Sequence, residues 1–476
     1  MSLVDWVEAA VLAYFAAVNG LLGLLLVLSA LDLRRHHAVT WMADLDALRS
    51  SALAPRISVL APAYGEEATI VESTRSLLGL GYPQLEVVVV VDGSPDRTLE
   101  VLREAFELEP VLPVFRRVIP TAEVRAILRS RRAPGLVVVD KANGGKADAL
   151  NCGLCVASGE LACAIDADTI IDPDALLKMV RPFLEDDRVV AAGGTIRPVN
   201  GAQVRGGRVV QAGMPRRPLA AMQAVEYLRA FLPGRVGWNR LGGNIIISGA
   251  FGLFRRGPTL AIGGYEEGTV GEDMELVARL RRHGHETDGP RRVVFVADPV
   301  AWTEVPESLR VLGRQRDRWH RGLADVLWRH RGTLLRPRYG TLGLVAMPAF
   351  LLFELLAPVV EAAGLVLLLA EVAVLGIDWD FAALFLLVAY GLGLLLTTAT
   401  ILLDELTYHS FGGARERLRL LPWALVEPLG YRQLTVLWRL RGIVSWLRGS
   451  QSWGEMTRAG FGASEPAGPG SGGSSR

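Results

Sequence analysis

The stretch Leu161-Ala162-Cys163-Ala164-Ile165 is apolar and runs directly into Asp166-Ala167-Asp168. Five apolar residues that end in an acidic pair predict a buried β-strand with two carboxylates at its carboxyl end. That position suits a divalent metal, because Mg²⁺ takes oxygen ligands and commonly shares its coordination shell with substrate phosphates. We therefore predict a metal and phosphate site at Asp166 and Asp168. An ordinary solvated turn is the alternative interpretation.

Similar apolar runs alternate with helical patterns between about residue 55 and residue 335. The predicted strands are Ile57–Leu60, Val87–Val91, Leu136–Val139, Leu161–Ile165, Val189–Ala192, Ile245–Ile247 and Val293–Val296. The helical patterns include Thr69–Leu80, Asp96–Glu107 and Asp174–Leu184. This alternation predicts an α/β domain with a largely parallel sheet, whose ligands bind beyond the carboxyl ends of the strands.

Long apolar segments flank the α/β domain on both sides. Residues 9–31 carry no charge and are long enough to span a bilayer as a helix. Residues 341–375 predict an interfacial helix leading into one span, with a helical hairpin as the alternative, and residues 381–403 predict another span. Residues 415–448 interleave arginine with tryptophan, which predicts amphipathic helices in the membrane surface. The Gly/Ser/Pro-rich residues 460–476 predict a disordered tail.

The distribution of charge predicts how the chain is oriented in a membrane. Asp5 and Glu8 precede the first apolar segment where a signal peptide would carry basic residues, so we predict a retained anchor. Arg34 and Arg35 follow it and predict a cytosolic side. The expected arrangement is a multi-pass protein of the cytoplasmic (inner) membrane with its N-terminus outside and its C-terminus inside. The predicted divisions are an anchor and basic linker at 1–54, a cytosolic domain at 55–335, a membrane region at 336–459 and the tail at 460–476.

Composition narrows the classes of function. The 476 residues have a formal net charge of +1, which gives no bulk basic field for a nucleic acid. The hydrophobic fraction is 50% and the mean hydropathy is +0.29, both high for a soluble enzyme. Three cysteines, at positions 152, 155 and 163, are too few for a disulfide framework and suggest reduced thiols that pack in the core.

Lysine is rare in this chain and is placed unevenly. Only three of the 51 basic residues are lysines, and two of them lie in Asp140-Lys141-Ala142-Asn143-Gly144-Gly145-Lys146. Lysine is a compact point charge that often binds phosphate. The segment therefore predicts a phosphate contact, and chance placement in a solvated loop is the alternative.

A second acidic string, Gly271-Glu272-Asp273-Met274-Glu275-Leu276, lies about a hundred residues after the first. A carboxylate here could take a proton from an attacking hydroxyl group, and we predict this role for Asp273. The alternative is that the acidic residues only supply negative charge to the first turn of a helix. For Glu272 and Glu275 that structural interpretation is the favoured one.

The ordered set of motifs resembles the membrane-bound, processive family 2 glycosyltransferases, which include synthases of cellulose, hyaluronan and poly-N-acetylglucosamine. The resemblance covers about residues 55–323. It is carried by Pro62-Ala63-Tyr64, Val91-Asp92-Gly93-Ser94, Asn143-Gly144-Gly145-Lys146, Asp166-Ala167-Asp168, Glu272-Asp273 and Gln315-Arg316-Asp317-Arg318-Trp319. A lone D-x-D is a weak signal, but the whole set ending in Q-x-x-R-W is specific. The resemblance implies a GT-A type catalytic domain attached to transmembrane and interfacial helices.

The resemblance also implies a role for each motif on the donor side. Asp92 and the loop of Pro62, Ala63 and Tyr64 would hold uridine, with Asp92 accepting a hydrogen bond from uracil. Lys146 would reach the nucleotide or its diphosphate. Asp168 would be the direct ligand of Mg²⁺ or Mn²⁺, while Asp166 would contact the metal, the ribose or the nucleotide.

On the acceptor side the resemblance implies that Asp273 is the general base and that the reaction inverts the anomeric carbon. Gln315 and Arg318 would approach the diphosphate, and Trp319 would stack on the acceptor sugar. Arginine over phosphate oxygens and an indole against an apolar sugar face are physically reasonable pairings. For Trp319, a membrane-interface aromatic is the alternative.

The expected activity is transfer of a sugar from a UDP-sugar, such as UDP-GlcNAc or UDP-Glc, to a growing β-linked polysaccharide, with export across the membrane. Its partners would be the donor, a polysaccharide or lipid-linked acceptor and the lipid bilayer, with no nucleic acid. A secretion partner is not specified by the sequence. The first alternative is a non-processive enzyme that moves one sugar to a lipid carrier or glycolipid. The second is a catalytically silent membrane scaffold.

Overall fold

The computed structural model describes residues 3–42, 45–166, 169–376, 378–408 and 419–449. The predicted metal ligand Asp168 and the predicted tail at 460–476 lie outside these residues. The strands are β1 Ile57–Ala63, β2 Leu85–Asp92, β3 Leu108–Val111, β4 Val124–Ser130, β5 Leu136–Lys141, β6 Leu161–Ile165, β7 Ile170–Ile171, β8 Val189–Pro198, β9 Gln203–Arg205, β10 Arg208–Gln211, β11 Phe251–Arg255 and β12 Arg292–Thr303.

Helices cover both faces of the sheet and extend into the apolar regions. The helices are α1 Leu3–Met42, α2 Leu45–Ser50, α3 Ile70–Leu78, α4 Thr98–Phe106, α5 Lys146–Val156, α6 Ala175–Glu185, α7 Pro218–Phe231, α8 Gly237–Leu241, α9 Arg256–Ala261, α10 Glu272–Glu286, α11 Leu309–Arg329, α12 Met347–Ala349, α13 Ala357–Ala370, α14 Trp379–Leu386, α15 Leu392–Tyr408, α16 Leu420–Val426 and α17 Tyr431–Leu447. Wider π-helical turns join several of them, including Leu232–Val236 between α7 and α8.

One mixed sheet of ten strands forms the centre of the domain, in the order β3-β4-β5-β2-β1-β6-β11-β8-β12-β7. The strands β5, β2, β1 and β6 are mutually parallel, as predicted. Antiparallel β4 and β11 then pair with the two outer strands of this parallel set. Since parallel strands end at the same edge, Ala63, Asp92 and Asp166 emerge side by side, and Asp92 is paired in register with Lys141.

The prediction of a strand at Ile245–Ile247 is wrong. This segment has no regular secondary structure, and the strand forms a few residues later as β11. Ile245 and Ile247 are nonetheless buried, because they pack into the hydrophobic clusters on the face of the sheet that carries α10. An apolar run therefore indicated burial here but not the strand conformation.

Three described helical segments are long and apolar enough to cross a membrane: Val4–His36, Leu342–Ala373 and Trp379–Tyr408. The first begins before the predicted residues 9–31 and continues beyond them. The second covers the predicted interfacial helix and span as two helical halves with a bend at Leu356 between them, and the interfacial position of the first half stays a prediction. Its first half packs through Leu342 and Phe350 against the α/β domain.

The α/β domain contacts the C-terminal ends of the first and third candidate spans. At the end of the first span, Asn239 Nδ2 donates to Asp32 Oδ2 at 3.0 Å. At the end of the third span, Asp404 pairs with Arg197 at 2.9 Å. These two contacts put the C-terminal ends of both candidate spans on the side of the α/β domain, and the orientation in a membrane stays a prediction.

The C-terminal helix α17 packs closely against α11, so one of its faces is covered by protein and not only by membrane surface. A Cβ atom at Gly313 of α11 would lie 2.8 Å from Trp438 Nε1, and one at Gly442 of α17 would lie 2.7 Å from the Asp317 carbonyl. Ser445 Oγ also donates to Asp317 Oδ2 at 3.3 Å. The helix that carries Q-x-x-R-W is thus held by the C-terminal helix.

We expect acid to weaken this contact through His320. Arg439 Nε donates to His320 Nδ1 at 3.3 Å, and Nε2 lies 3.1 Å from the Leu355 carbonyl, so the ring is neutral with its proton on Nε2. Burial, reinforced by Arg439, lowers the pKa of His320 from 6.5 to about 3. The unfolded chain therefore binds this proton more readily, and stability present above pH 6.5 is lost as pH falls towards 3, by about 2 kcal/mol at pH 5.

Thermal unfolding of the wild type and of His320→Gln between pH 8 and pH 5 measures this effect. The glutamine variant has no imidazole to protonate, so its melting temperature should fall less over this range. Identical slopes for the two proteins would contradict the role of His320.

Candidate active site

Residues from four separate parts of the sequence line one cavity of about 920 Å³ at the carboxyl edge of the sheet. The predicted site residues that line it are Lys146, Asp166, Asp273, Gln315, Arg318 and Trp319. Pro62, Ala63, Tyr64 and Asp92 are not part of its lining, although they lie at the adjacent strand ends. The structure therefore brings together the predicted phosphate, base and acceptor residues.

Asp92 shapes the turn that leads into Lys146. Its carboxylate accepts hydrogen bonds from the backbone N–H of Gly144 at 3.0 Å and of Gly145 at 2.8 Å. It is also paired with the fully buried ammonium of Lys141, which contacts Asp148 at 2.5 Å. A carboxylate has about four lone-pair positions, and these contacts occupy most of them. The uracil contact of Asp92 stays a prediction, whereas its hold on the Asn143–Lys146 turn is visible.

Lys146 is a cation in the lining of the cavity, where the sequence predicts a phosphate contact. It is the first residue of α5, and its Nζ lies 2.7 Å from Asp166 Oδ1 and 3.2 Å from Glu272 Oε1. Burial alone would lower its pKa, but the carboxylates of Asp166 and Glu272 raise the pKa of Lys146 above its usual value. The ammonium is therefore charged at neutral pH and partly exposed to the cavity, as a phosphate contact requires.

Glu272 has more than the helix-charge role that we expected from the sequence. Its carboxylate is buried, lines the cavity and contacts Lys146. Glu275, by contrast, pairs with Arg279 at 2.8 Å within α10 and has the structural role that was favoured. The sequence could not distinguish the roles of Glu272 and Glu275, because both residues lie in the first turn of α10.

Asp273 lies at the start of α10 with its carboxylate in the cavity. Gly249 N donates to Oδ2 at 2.9 Å, and Met274 N donates to Oδ1 at 2.8 Å. Burial raises the pKa of Asp273 above its usual value, although these hydrogen bonds and Lys146 oppose the rise. A fixed carboxylate with a raised pKa is suited to accept a proton near neutral pH.

Gly249 separates the base from the donor-side cation. A Cβ atom at this position would lie 3.4 Å from Lys146 Nζ and 3.5 Å from Asp273 Oδ2. The space between these groups is therefore filled by no side chain of this loop.

The long helix α11 supplies the wall opposite Asp273. Gln315 is buried, and its Oε1 accepts no hydrogen bond from the residues that the structure describes. Trp319 is 45% exposed, and the guanidinium of Arg316 lies 4.5 Å from the centre of its ring. Arg316 is itself fixed by Glu226 at 2.6 Å. A half-exposed indole and a buried amide thus belong to the lining of the cavity.

The donor set around Asp166 fits a hard divalent cation in its chemistry, since it consists of carboxylate oxygens. Among the residues that the structure describes, no three His, Cys, Asp or Glu side chains are grouped so that they could hold a metal ion by themselves. A cation at Asp166 would therefore need further oxygen ligands. The sequence predicts that Asp168 supplies one such ligand, and this stays a prediction because Asp168 lies outside the described residues.

Several residues of the site carried no recognisable signal in the sequence. Arg316 pairs with Glu226 of α7, and Tyr431 of α17 donates to the same Glu226 carboxylate at 2.6 Å. The three residues are far apart in the chain, and only the packing of α7, α11 and α17 brings them together. Arginine and tyrosine are too common on helices for such a cluster to be predicted.

Comparison with known proteins identifies the family. The family described as "Glycosyltransferase like family 2" matches residues 55–322, which is more than half of the chain. The chain belongs to this family. The resemblance predicted from the ordered motifs is confirmed by this match.

Curated members of the family match over part of their length. The chain is 27% identical over 270 residues to the probable glycosyltransferase YdaM of Bacillus subtilis (strain 168), which is 56% of this chain and 55% of YdaM. It is 28% identical over 299 residues to the poly-beta-1,6-N-acetyl-D-glucosamine synthase of Staphylococcus aureus (strain COL), or 62% and 60% of the two chains. The chain thus matches little more than half the length of these relatives.

A solved structure shows the same fold across nearly the whole chain. The mannosyltransferase PcManGT from Pyrobaculum calidifontis, in complex with GDP-Man and Mn²⁺, superposes with a TM-score of 0.55 at 20% identity. The match covers 93% of this chain and 99% of PcManGT. The likeness supports the predicted fold class, a GT-A glycosyltransferase domain with apolar helices attached.

Proposed function

We propose that this glycosyltransferase transfers a sugar from a UDP-sugar, such as UDP-GlcNAc or UDP-Glc, to a hydroxyl group of a growing β-linked polysaccharide. One observation carries the proposal: Lys146, Asp166, Asp273 and the Q-x-x-R-W residues share a single cavity that continues between α1 and α17. Donor-side and acceptor-side groups therefore meet beside helices that can enter a membrane. The polymer-forming relatives among the curated matches support this choice of acceptor.

The reacting atoms would meet between Asp273 and Lys146. Asp273 accepts the proton of the acceptor hydroxyl while the hydroxyl oxygen attacks the anomeric carbon of the donor sugar. The bond from that carbon to the diphosphate oxygen breaks, and the nucleoside diphosphate leaves on the opposite face. The configuration of the carbon is thereby inverted. Hydrogen bonds from Gly249 and Met274 hold the carboxylate in one orientation throughout.

The donor diphosphate would lie against the carboxyl edge of the sheet. Lys146 and Arg318 supply positive charge to its oxygens, and the turn held by Asp92 sets the position of Lys146. Asp166 and Asp168 would hold Mg²⁺ or Mn²⁺, which would offset the charge of the leaving diphosphate when bound. Pro62, Ala63 and Tyr64 lie next to this edge, where they would contact the nucleoside.

The acceptor would extend from Trp319 towards the membrane. Because the α/β domain contacts the C-terminal ends of the first and third candidate spans, transfer would occur on the cytosolic side of the inner membrane. The same cavity is lined by Tyr14 and Asn19 of α1, so a saccharide leaving Asp273 would pass between the membrane helices. This geometry supports synthesis coupled to export.

A second candidate function is transfer of one sugar to a lipid carrier or glycolipid. The apolar residues of α1 that line the cavity favour it, because they could lie along a lipid chain. The two functions use the same donor chemistry. They differ in whether the product is released after one transfer.

The purified protein in detergent should release UDP from one member of a panel of UDP-sugars when Mg²⁺ or Mn²⁺ is present. A chelator should abolish the release, and adding back either cation should restore it. Products of the active donor should be long polymers when they are separated by size.

Three results would change this assignment. A lipid carrying one sugar as the sole product would establish the second candidate. UDP release that persists in the chelator would remove the metal from the reaction. Release from GDP-sugars but not from UDP-sugars would correct the donor nucleotide.

A further inference from the structure

Arg235 is a cation of the cavity that the proposed mechanism does not use. It lies in the π-helical turn Leu232–Val236 and lines the cavity together with Asp273. The turn is pressed against α1, since a Cβ atom at Gly237 would lie only 2.4 Å from the Leu25 carbonyl. Arg235 is therefore fixed at the junction between the membrane helix and the catalytic domain.

The guanidinium of Arg235 has few protein partners. Among the described residues, it makes one hydrogen bond, from Nη1 to the Gly234 carbonyl at 3.1 Å, and no ion pair. An arginine has five N–H donors, so most of them remain available. Burial lowers the pKa of Arg235. The negative charges of Glu354 and Asp273 act against this lowering, although neither carboxylate forms an ion pair with the guanidinium.

Three other arginines that line the cavity contrast with Arg235, because each of the three has a carboxylate partner. Arg229 pairs with Glu427 at 2.9 Å, Arg316 with Glu226 at 2.6 Å, and Arg432 with Glu361 at 2.8 Å. Leaving a charge without a partner in a partly apolar cavity lowers stability. A bound anion would remove that cost.

The wall beside Arg235 is apolar and belongs to a candidate membrane span. Phe15, Leu22 and Leu25 of α1 line the same cavity, as does Phe350 at the start of the second candidate span. A ligand that reaches Arg235 along this wall would need an apolar chain as well as a negative charge. The proposed function assigns the donor diphosphate to Lys146 and the sheet edge, so an anion at Arg235 would be a different group.

We propose that Arg235 binds the phosphate group of a lipid-linked acceptor, with the lipid chain lying along α1. The inference rests on the second candidate of the proposed function, in which the acceptor in this cavity is a lipid carrier. The phosphate at Arg235 would place the attached acceptor group near Asp273. Lipid phosphates would then bind in preference to neutral lipids of the same chain.

The test uses the full-length protein in detergent with farnesyl phosphate as the probe. Farnesol and inorganic phosphate serve as controls, because each represents one part of the probe. Farnesyl phosphate should raise the melting temperature of the wild type, and neither half should match it at equal concentration. The Arg235→Met variant should bind farnesyl phosphate about 10- to 100-fold more weakly, since a charged hydrogen-bonded pair is lost. Arg235→Lys should retain part of the affinity.

Stability separates a ligand-binding role from a structural one. Without ligand, Arg235→Met should melt at the wild-type temperature or above it, because an unpartnered charge is removed. The matched variant Arg229→Met should melt at a lower temperature, because it leaves Glu427 buried without its partner. If Arg235→Met lowers the melting temperature as much as Arg229→Met does, the proposal is overturned.

The remaining outcomes are equally decisive. Equal binding of farnesyl phosphate by the wild type and Arg235→Met would refute the site, and equal binding of inorganic phosphate would refute the lipid. If no donor releases UDP but farnesyl phosphate binding still depends on Arg235, the proposed transfer fails while this inference stands. If UDP release is normal but the binding of farnesyl phosphate does not depend on Arg235, the proposed transfer stands and this inference fails.

Discussion

Asp273→Asn should lower turnover by about 10²- to 10⁴-fold, the usual contribution of a positioned general base. Asparagine has the shape of aspartate but cannot accept the proton of the acceptor hydroxyl at neutral pH. Because Lys146 and Asp166 are untouched, the affinity for the donor nucleotide should stay close to that of the wild type. Steady-state UDP release with varied donor separates the two quantities.

The matched control is Glu275→Gln, which removes a carboxylate two residues along the same helix. Glu275 pairs with Arg279 and does not line the cavity, so turnover per folded enzyme should be close to normal. Near-normal turnover of Asp273→Asn would remove Asp273 from the mechanism.

The pH profile gives an independent check on Asp273. Burial raises its pKa, so wild-type turnover should fall as pH drops through that raised value, where the carboxylate becomes protonated and inactive as a base. The residual activity of Asp273→Asn should lack this acidic limb. An unchanged acidic limb in the variant would assign that titration to another group.

Lys141→Met should destabilise the protein by about 3–5 kcal/mol, because it leaves two carboxylates buried without their shared cation. Lys141 is fully buried between Asp92 and Asp148, and burial alone would lower its pKa, but these two carboxylates raise it. Thermal or denaturant unfolding in detergent measures the loss. Any protein that folds should bind the donor more weakly, since Asp92 would no longer hold the Gly144 and Gly145 turn.

Lys178→Met is the matched control for Lys141→Met. Lys178 pairs with Asp172 at 3.5 Å, and both side chains are about one-quarter exposed. Its loss should cost less than about 1 kcal/mol, as is typical of solvated ion pairs. If the two lysine variants were equally stable, the ion pairs of Lys141 with Asp92 and Asp148 would not be what holds the turn at Gly144 and Gly145.

The sequence predicted the parallel core of the fold correctly because its strands are continuous apolar runs. β1, β2, β5 and β6 are buried on both faces, so their composition alone marks them. The strands that it missed, such as β4 and β11, contain charged or small residues and are defined by their neighbours. The prediction of a strand at Ile245–Ile247 was wrong for the opposite reason. Its apolar residues are buried, but their backbone does not pair with a neighbouring strand.

The sequence also placed the main groups of the site, because each motif is compact and contiguous. Asp166 follows a strand, Lys146 begins a helix, and Asp273 lies in a helical first turn, so local pattern gave both residue and position. Glu272 was underestimated because its contact with Lys146 joins residues more than a hundred positions apart. The predicted metal ligand Asp168 lies outside the described residues and stays a prediction.

The sequence by itself determined the family, the parallel core and three apolar helices, because these properties are encoded in short ordered motifs and in local hydropathy. Tertiary structure alone decided that the Lys146, Asp273 and Trp319 regions share a cavity, that α17 holds α11, and that Arg235 faces that cavity without an ion-pair partner among the described residues. The physical reason is that side-chain pairing depends on which distant surfaces meet. Such contacts leave no periodic pattern in the chain, and only the packed fold reveals them.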